Sequence, residues 1–526
     1  MTDTETVIGD IDGKIKVIND DTEFKVTGWG YRHQQSLILF FCLTVAYSMR
    51  TCMGMALVGM VDSNYIQDIN STIVATGNDS QVNIDNSSTV VGEIANYEAR
   101  GILNALMIVP PYPKFKWNKK VQDTIQASFS WGYMVTQIPA GQLAHRFGAK
   151  YLLVGAMLIN CLVSILLPYG AYYGGWILIA IFRVLQGLSQ ACIMPSLHTF
   201  FGKWAPIEER GKLTSMCYGG QALGTVLGMP ITGFISASAM GWPGIFRFYG
   251  ILSGLAGGFI WWLTADSPAQ HSKISAAERK HIEEGLGQKY TGKRKVMRVP
   301  WLKILRHRGM YAIIAAHIGG TWCQLTLYSE VPAFMDKVMG VNIEANGLLS
   351  ALPFLVMWIC NFFFSWLADY LVVKKLLSVT NTRKLSTSLG SIPPAIGFIT
   401  LAYVPKNIYV VETVLVLICA FKISSNTGYQ VNHIDISPNF AGTMMSISNF
   451  VSNCFGSLAP IVAGFVLTDV TSEYQWRKVF LVSAGFYIIS NVIYVLLGTA
   501  EVADWNEEEE EVANEKENEA FLTKIV

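Results

Sequence analysis

The sequence predicts an all-helical membrane protein with twelve transmembrane helices in two pseudo-symmetric six-helix halves. Hydrophobic residues make up 51% of the 526 residues and charged residues only 15%, whereas a soluble domain has about 25% charged residues. Apolar stretches long enough to span a bilayer recur about twelve times along the chain. One hydrophilic segment divides them into six and six, as in transporters built from two repeats with a site between them.

The apolar stretches divide the chain into five regions. We predict a polar segment over residues 1–35, a first half over 36–264, a central loop over 265–308, a second half over 309–499 and an acidic tail over 500–526. The first half contains a long loop over 62–121. The twelve stretches themselves lie near residues 36–61, 122–144, 151–169, 174–198, 213–237, 244–264, 309–330, 346–370, 386–404, 408–430, 442–467 and 478–499.

The distribution of basic residues predicts that both termini lie in the cytoplasm. The central loop carries 11 lysines and arginines, and dense basic clusters remain on the cytoplasmic side. The loop over 62–121 then lies outside, where the sequons at Asn70, Asn78 and Asn86 can be glycosylated. Lysines in this loop oppose the charge rule, but long loops cross the membrane largely regardless of charge. The plasma membrane is favoured, and an endolysosomal or vesicular membrane remains open.

Composition and motifs exclude several other classes of protein. The net charge of +1 provides no field for nucleic acid. The nine cysteines fall in or beside apolar stretches, which favours packing roles over disulfides or a metal site. The sequence contains no nucleophile elbow, HExxH motif or Walker loop. We therefore predict that the protein is not an enzyme and has no cofactor or bound metal.

An arginine lies about halfway along the fourth apolar stretch. A charge at the depth of Arg183 costs at least roughly 2.5–3.5 kcal/mol, so such a residue normally faces a protein-lined cavity and has a function. At about 100° per residue, Gln186, Gln190 and His198 fall within roughly a third of the helix circumference around Arg183. This polar stripe is typical of a cavity-lining helix, and a hydrogen-bond network between helices is the alternative.

Two further basic residues lie well inside apolar stretches. Arg50 lies well inside the first stretch, and no carboxylate lies deep in any stretch. Two inward-facing guanidinium groups repel unless an anion lies between them, and their planar shape suits carboxylate and phosphate. Lys422 in the tenth stretch either extends this positive cavity or reaches the outer surface. Further candidates for the cavity lining are Gln126, Tyr133, Gln137, Trp322 and Gln324.

Two motifs resemble the major facilitator superfamily. The segment Gly141-Gln-Leu-Ala-His145-Arg146-Phe-Gly148-Ala-Lys150 is similar to its loop motif Gly-x-x-x-Asp-Arg-x-Gly-Arg/Lys-Lys/Arg. Arg183-Val-Leu-Gln186-Gly187 resembles its helix 4 motif Arg-x-x-Gln-Gly. His145 replaces the acidic residue, a departure from the usual charge relay of the gate. The resemblance implies gating roles for Gly141, His145, Arg146, Gly148 and Lys150, and for Asp369 at the matching place in the second half.

Longer segments resemble one branch of that superfamily, the anion:cation symporter family. They include Tyr47-Ser-Met-Arg50, residues 128–141, residues 203–212 and Val431-Asn-His-Ile-Asp-Ile-Ser-Pro438. The branch contains sodium/phosphate cotransporters, sialin and vesicular glutamate transporters, and the chain looks most like insect proteins named "putative inorganic phosphate cotransporter". The resemblance implies that Arg50 and Arg183 bind the substrate anion and that His198 matches the histidine of helix 4.

Two positions depart from relatives within that branch. Gln190 stands where sialin-like and vesicular members carry a glutamate linked to proton coupling, and Gly320 stands where vesicular glutamate transporters carry an arginine. Because a glutamine cannot titrate, Gln190 cannot carry a coupling proton, and sodium is therefore the favoured coupling ion. The proton is the alternative, because the imidazole of His198 titrates near neutral pH.

These observations predict a secondary transporter of small anions that works by alternating access. Sodium-coupled symport of inorganic phosphate or an organic anion is the first hypothesis, in which Arg50 and Arg183 neutralise the anion and Gln190 and Tyr133 orient it. A proton-coupled or uniporting organic-anion carrier of an endomembrane is the alternative. A receptor or scaffold that kept the fold is a third hypothesis. The expected partners are a small anion and the lipid bilayer, without nucleic acid or an obligate protein partner.

Overall fold

The structure is a computed structural model that describes residues 29–61, 112–117, 119–286, 298–331, 334–335, 338–339, 347–404, 407–467 and 472–506. Within these ranges the secondary structure is helical, apart from one isolated bridge between Val61 and Phe115. The sequons at Asn70, Asn78 and Asn86 lie outside the described residues, as does most of the acidic tail. The prediction of an all-helical protein is confirmed.

The described residues of the first half form six helices, and those of the central loop form two short helices. Pro139, Pro168 and Pro230 lie within three of these helices, where neighbouring helices can satisfy the backbone groups that proline frees. In chain order the helices are α1 (Tyr31–Met60), α2 (Lys119–Phe147), α3 (Ala149–Gln190), α4 (Ile193–Trp204), α5 (Arg210–Ala237), α6 (Gly241–Leu263), α7 (Ala276–Leu286) and α8 (Trp301–Arg306).

The second half follows the same plan with more interruptions. Its first helix continues into a π-helical turn over Thr326–Glu330, and a 3₁₀ turn over Ile423–Thr427 separates two of its later helices. The helices are α9 (Arg308–Leu325), α10 (Gly347–Val373), α11 (Val379–Leu389), α12 (Ile392–Tyr403), α13 (Ile408–Lys422), α14 (Tyr429–Ile436), α15 (Ala441–Gly456), α16 (Leu458–Val466) and α17 (Glu473–Leu497).

The third and fourth predicted stretches differ from the structure at their boundaries. They join in α3, a 42-residue helix that is broken at Gly175, whose φ of 58° and ψ of −151° favour glycine. The fourth stretch is interrupted again by a turn at Ala191 and Cys192, after which α4 begins. The fourth stretch is thus divided between α3, which carries Arg183, and α4, which carries His198, although Ala191 and Cys192 keep right-handed helical dihedral angles.

Helical residues coincide with each of the twelve predicted stretches. Eight helical segments of the described residues are both long and apolar enough to cross a bilayer. One of these segments, Ala149–Trp204, contains both the third and the fourth predicted stretch. Many large apolar side chains on the helices remain exposed, among them Trp262 and Phe465 at 87% and 82%, as expected for surfaces that face lipid.

The two halves meet along α2 and α15 and along α5 and α10. We call the end of the bundle that carries Arg32, Arg146, Arg210 and Arg383 the basic end, and the contacts between the halves near it the seam. The seam is tight, because a Cβ on Gly141 would overlap Ser446 Oγ and lie 2.9 Å from the Gly442 carbonyl oxygen. Gly141 therefore allows α2 and α15 to cross closely.

Candidate anion site

Two arginines of the first half approach the same aromatic ring. The guanidinium carbon of Arg50 on α1 lies 5.1 Å from the ring centroid of Phe129 on α2. That of Arg183 on the second part of α3 lies 4.9 Å from the same centroid. Both guanidinium groups thus border one ring, an arrangement in which a single anion can offset both charges.

Three aromatic side chains surround the Arg50 guanidinium, and we call them the aromatic cage. Besides Phe129, the ring centroids of Tyr133 and Tyr47 lie 5.0 and 5.9 Å from the guanidinium carbon. A cation over an aromatic face gains about 0.5–2 kcal/mol, more where water is excluded. The cage stabilises the charge of Arg50 without providing a carboxylate, so with respect to the described residues its N–H donors remain available for a ligand.

Arg183 is buried with its hydrogen-bonding capacity largely unused. Its side chain is 5% exposed, and Nη1 donates to Gln186 Oε1 at 3.1 Å. Its Nε has no hydrogen-bond partner in the described part of the chain. None of the ion pairs formed by described residues involves Arg50 or Arg183. A buried cation with unused donors favours an anionic ligand, because burying an unpaired charge is costly.

The two glutamines of the polar stripe around Arg183 both bond to the first part of α3. Gln186 donates to Ser164 Oγ at 2.9 Å, and Gln190 donates to Asn160 Oδ1 at 3.2 Å. Both partners lie on the first part of α3, before its break at Gly175. These bonds hold the two parts of α3 together, which is the helix–helix network that the sequence left open as an alternative. They do not bring Gln190 into contact with the aromatic cage.

His198 lies apart from the arginines, in a group of three buried histidines that joins the two halves. We call His198 on α4, His317 on α9 and His433 on α14 the histidine cluster. The ring centroids of His198 and His433 are 5.1 Å apart, and those of His317 and His433 are 6.4 Å apart. His198 Nε2 and His433 Nδ1 each lie 3.0 Å from the Gln430 carbonyl oxygen. The structure thus separates His198 from the predicted anion site.

A residue that the sequence reasoning missed links the aromatic cage to the second half. Asn449 Nδ2 on α15 donates to the Tyr133 hydroxyl at 3.1 Å, and Asn453 Nδ2 donates to Asn449 Oδ1 at 2.8 Å. Asn449 is buried. Polar residues at three- and four-residue spacing in the eleventh apolar stretch, from Ser446 to Asn453, were the available signal.

The remaining predicted lining residues have mixed surroundings. Gln126 is exposed and lies beside Gly54 of α1, whereas neither amide atom of the fully buried Gln137 has a partner among the described residues. Trp322 stacks on Phe486 at 3.9 Å inside the second half, so it acts in packing. Gln324 is half-buried.

Two ionisable residues of α13 change the predicted charge pattern. Lys422 ends this helix, which begins at Ile408, and the two residues are about 21 Å apart along the axis. Lys422 therefore does not reach the surface at the start of α13, and it remains half-buried.

Glu412 lies one turn into the same helix. Its side chain is 6% exposed, and its Oε1 has no hydrogen-bond partner in the described ranges. The sequence reasoning overlooked this buried carboxyl group.

The two predicted gating segments make different contacts. Asp369 on α10 accepts a hydrogen bond from the Lys212 backbone N–H of α5, in the opposite half, at 2.6 Å. The ring of His145 packs against Phe440, the residue before α15, with 5.2 Å between centroids. Both segments thus contact the start of a helix in the other half.

Three other residues of the first motif have different surroundings. Gly148 has a φ of 88°. The Lys150 N–H donates to Asp266 Oδ1 at 3.3 Å, and the Arg146 guanidinium carbon lies 5.6 Å from the Phe147 ring centroid.

A buried ion triad also closes the seam. Asp435 on α14 binds Arg210 of the first half at 2.7 Å and Arg383 of the second half at 2.6 Å, and all three side chains are 2% exposed. From the sequence, Asp435 was assigned neither a partner nor a role. Buried carboxylates of this kind need both hydrogen bonds and opposite charge to offset desolvation, and the two arginines provide them.

Comparison with known proteins defines the class of protein. The family model of the Major Facilitator Superfamily matches residues 39–460, so the chain belongs to this superfamily of multi-pass membrane transporters. The fold resembles that of the proton:xylose symporter XylE of the same superfamily, with a TM-score of 0.61 at 15% identity over 90% of this chain and 97% of the other.

Three relatives confirm the predicted branch, the anion:cation symporter family. A Drosophila ananassae protein named "Putative inorganic phosphate cotransporter" is 34% identical over 484 residues, which cover 90% of this chain and 94% of that protein. Human "Sialin" is 30% identical over 476 residues, which cover 90% of both chains. Mouse "Sodium-dependent phosphate transport protein 1" is 29% identical over 485 residues, which cover 92% of this chain and 97% of that protein. The prediction that the protein is a transporter and not an enzyme is confirmed with it.

Proposed function

We propose that the protein carries small anions across its membrane, with Arg50 and Arg183 binding the anion and Tyr133 orienting it. The observation that carries the proposal is the buried guanidinium of Arg183, whose Nε lacks a partner among the described residues. Arg50 borders the same Phe129 ring. An anion between the two arginines supplies an acceptor and offsets their mutual repulsion.

The favoured transport reaction is sodium-coupled symport of inorganic phosphate or an organic anion. The names of the Drosophila and mouse relatives support this reaction. Gln190 favours sodium because it cannot bind a coupling proton. A proton-coupled or uniporting organic-anion carrier of an endomembrane is the alternative, and the histidine cluster supports it. No cofactor is needed in either reaction.

The contacts that close the seam between the two halves support transport by alternating access. The seam joins the halves from Asn449 to the basic end through Gly141, Asp369 and Asp435. Arg183 lies on the second part of α3, and α4 then continues the chain from there to the basic end. We infer that the anion site lies beyond the seam and that the anion enters from the opposite end while the seam is closed. Opening of the seam then releases the anion at the basic end.

The orientation in the membrane is part of the proposal. We infer that the basic end faces the cytoplasm, because basic residues are retained on that side during insertion. Both termini are then cytoplasmic, the loop over 62–121 is external, and the plasma membrane is the favoured location. A receptor or scaffold on the same fold is disfavoured, since such a protein gains nothing from two unpaired arginines near one ring.

Uptake into vesicles tests the proposed function. The full chain is reconstituted, and uptake of labelled phosphate and of labelled organic anions is measured with sodium and proton gradients imposed separately. We expect Arg183→Ala to reduce uptake roughly 10- to 100-fold, because hydrogen bonds to charged groups contribute about 1.5–3 kcal/mol. Arg183→Lys keeps the charge but loses the planar fork, so we expect an intermediate loss.

A matched arginine provides the control. Arg477 on α17 also lies over a tyrosine ring, that of Tyr403 at 5.5 Å, but it is not part of the anion site. Arg477→Ala should leave uptake close to that of the parent. The proposal is overturned if no anion is taken up, or if uptake is the same in the parent and in Arg183→Ala.

A further inference from the structure

The histidine cluster takes no part in the proposed anion site, yet it joins the moving halves. His198, His317 and His433 are 0%, 4% and 0% exposed. His198 belongs to the first half, and the other two belong to the second. No ion pair among the described residues involves these rings. Imidazoles at an interface that opens are groups through which protons can shift a conformational equilibrium.

With one proton on each ring, the cluster can form a connected set of hydrogen bonds. The proton positions are assigned from the acceptors around each ring. His433 donates from Nδ1 to the Gln430 carbonyl oxygen at 3.0 Å, and the Ser448 hydroxyl donates to His433 Nε2 at 2.7 Å. His317 donates from Nδ1 to Ser448 Oγ at 3.2 Å. The neutral cluster thus fits the closed seam.

One more proton fits the same positions at either of two rings. If His433 carries protons on both nitrogens, it donates to Ser448, whose hydroxyl can turn to the Met445 carbonyl oxygen 3.1 Å away. If His198 instead carries protons on both nitrogens, it donates to the carbonyl oxygens of Met194 and Gln430, each at 3.0 Å. Carbonyl oxygens only accept, so a neutral His198 donates from Nδ1 to the Met194 carbonyl oxygen, and the Tyr218 hydroxyl, 3.1 Å from Nε2, can donate to the nitrogen that carries no proton.

Few charged groups approach the cluster in the described part of the chain. The Tyr218 ring on α5 lies 5.7 Å from that of His198, and the Tyr429 ring lies 5.5 Å from that of His317. Asp435 lies two residues after His433 but binds two arginines. On α4 itself, Lys203 pairs with Asp266. A proton added to the cluster therefore has no carboxylate partner at the rings.

We propose that the histidine cluster is a proton-binding site whose occupancy favours opening of the seam. In the closed seam the added charge is buried without a counter-ion, which is costly. Opening separates His198 from Gln430 and admits water, so the open state binds the extra proton more tightly. Linkage then requires that acidification shifts the population toward the open state. This inference goes beyond the proposed anion transport and does not depend on it.

Cysteine labelling of the purified full chain in lipid nanodiscs tests the proposal without any substrate. Ser365 is buried in the seam, where its hydroxyl donates to the Gly211 carbonyl oxygen, so Ser365→Cys reports opening. Lys374 is exposed, and Lys374→Cys corrects for the effect of pH on thiol reactivity. Each rate is corrected for labelling of the parent. We expect the ratio of the Ser365→Cys labelling rate to the Lys374→Cys labelling rate to rise several-fold from pH 8 to pH 5.5. For one proton, this rise is at most about tenfold per pH unit.

Histidine variants separate the cluster from other titrating groups. His198→Gln and His433→Gln should flatten the dependence of the ratio on pH, and His317→Gln should weaken it. His307, which contacts Trp505 outside the cluster, is the control, and His307→Gln should leave the dependence unchanged. Three separate variants keep the test valid if one of them does not fold.

Two results would overturn the proposal. One is a flat ratio in the chain with all three histidines, which needs no histidine variant to interpret. The other is an unchanged dependence on pH in folded His198→Gln and His433→Gln. If the chain transports no anion, but its labelling ratio depends on pH and the histidine variants flatten that dependence, the proposed function is overturned and the proton site is supported.

Discussion

Asp369 of the second half caps a helix of the first half. Its Oδ2 accepts a hydrogen bond from the Lys212 backbone N–H at 2.6 Å, in the first turn of α5. The N–H groups of a first turn have no acceptor within their own helix, and a carboxylate there also interacts favourably with the helix dipole. The contact therefore contributes to closure of the seam.

Replacing Asp369 by asparagine should loosen the seam. The amide retains an acceptor but loses the charge, which contributes about 0.3–1 kcal/mol at a helix N-terminus. We expect Asp369→Asn to increase the labelling rate of Thr443→Cys, a buried seam position, by roughly two- to fivefold. Asp504→Asn, a change at an exposed carboxylate, serves as the control. An unchanged rate in Asp369→Asn would show that the charge does not hold the seam closed.

The Tyr133 hydroxyl should affect transport less than its ring. Tyr133→Phe loses the hydrogen bond from Asn449 but keeps the aromatic face near Arg50, so we expect uptake to fall roughly fivefold, as for a bond of about 1 kcal/mol. Tyr133→Ala also removes the cation–π contact, so we expect uptake to fall further in this variant. Initial uptake rates over a range of anion concentrations measure both effects. Equal losses in the two variants would contradict a role for the ring.

A carboxyl group at position 190 should make uptake more dependent on pH. Gln190 donates to Asn160 Oδ1, while Asn160 Nδ2 donates to Ala156 O and Ser189 Oγ, so Asn160 cannot reverse its amide without losing both bonds. In Gln190→Glu, only the protonated carboxyl group can donate to Asn160. We expect uptake that falls more steeply with rising pH than in the parent. An active variant with the parent's pH profile would contradict this prediction.

The Arg32–Glu209 pair should contribute stability that depends on pH. Burial raises the pKa of Glu209, but the hydrogen bonds and charge of Arg32 outweigh it and hold this pKa below the ordinary 4.5. The pair therefore stabilises the protein above about pH 4.5, and this contribution is lost as pH falls through the lowered pKa. Its magnitude is about 1 kcal/mol, since the pair is partly exposed.

Thermal unfolding in detergent measures this contribution. We expect Glu209→Gln to lower the Tm at pH 7, and the difference from the parent to shrink at pH 4 and below. Glu283→Gln is the control, because Glu283 pairs with the more exposed Arg279 within one helix. A Tm difference for Glu209→Gln that is the same at both pH values would contradict the assignment.

Local properties of the sequence were sufficient to predict the helical fold. The length of an apolar stretch and its small number of charges decide whether it can cross a bilayer, and helical residues coincide with all twelve predicted stretches. Boundaries were harder to predict. The break at Gly175 and the turn at Ala191 and Cys192 interrupt runs that remain apolar, so hydropathy does not reveal them.

The site was predicted only in part, because periodicity describes one helix at a time. Arg50, Arg183 and Tyr133 were predicted and lie together. Gln190 shares the calculated face of Arg183, but its partner is Asn160, on the part of α3 before the break. His198 lies beyond the turn and contacts the other half. The neighbouring helices decided what each polar side chain meets.

The sequence by itself determined that the chain spans a membrane, that its interior carries unpaired arginines, and that its motifs resemble one transporter branch. Only the tertiary structure decided which distant residues meet at the seam. Asp435 meets Arg210, and His433 meets His198, although each pair is far apart along the chain. The physical reason is that hydropathy and charge are properties of each segment, whereas the partners of a buried polar group are fixed by how the two halves pack.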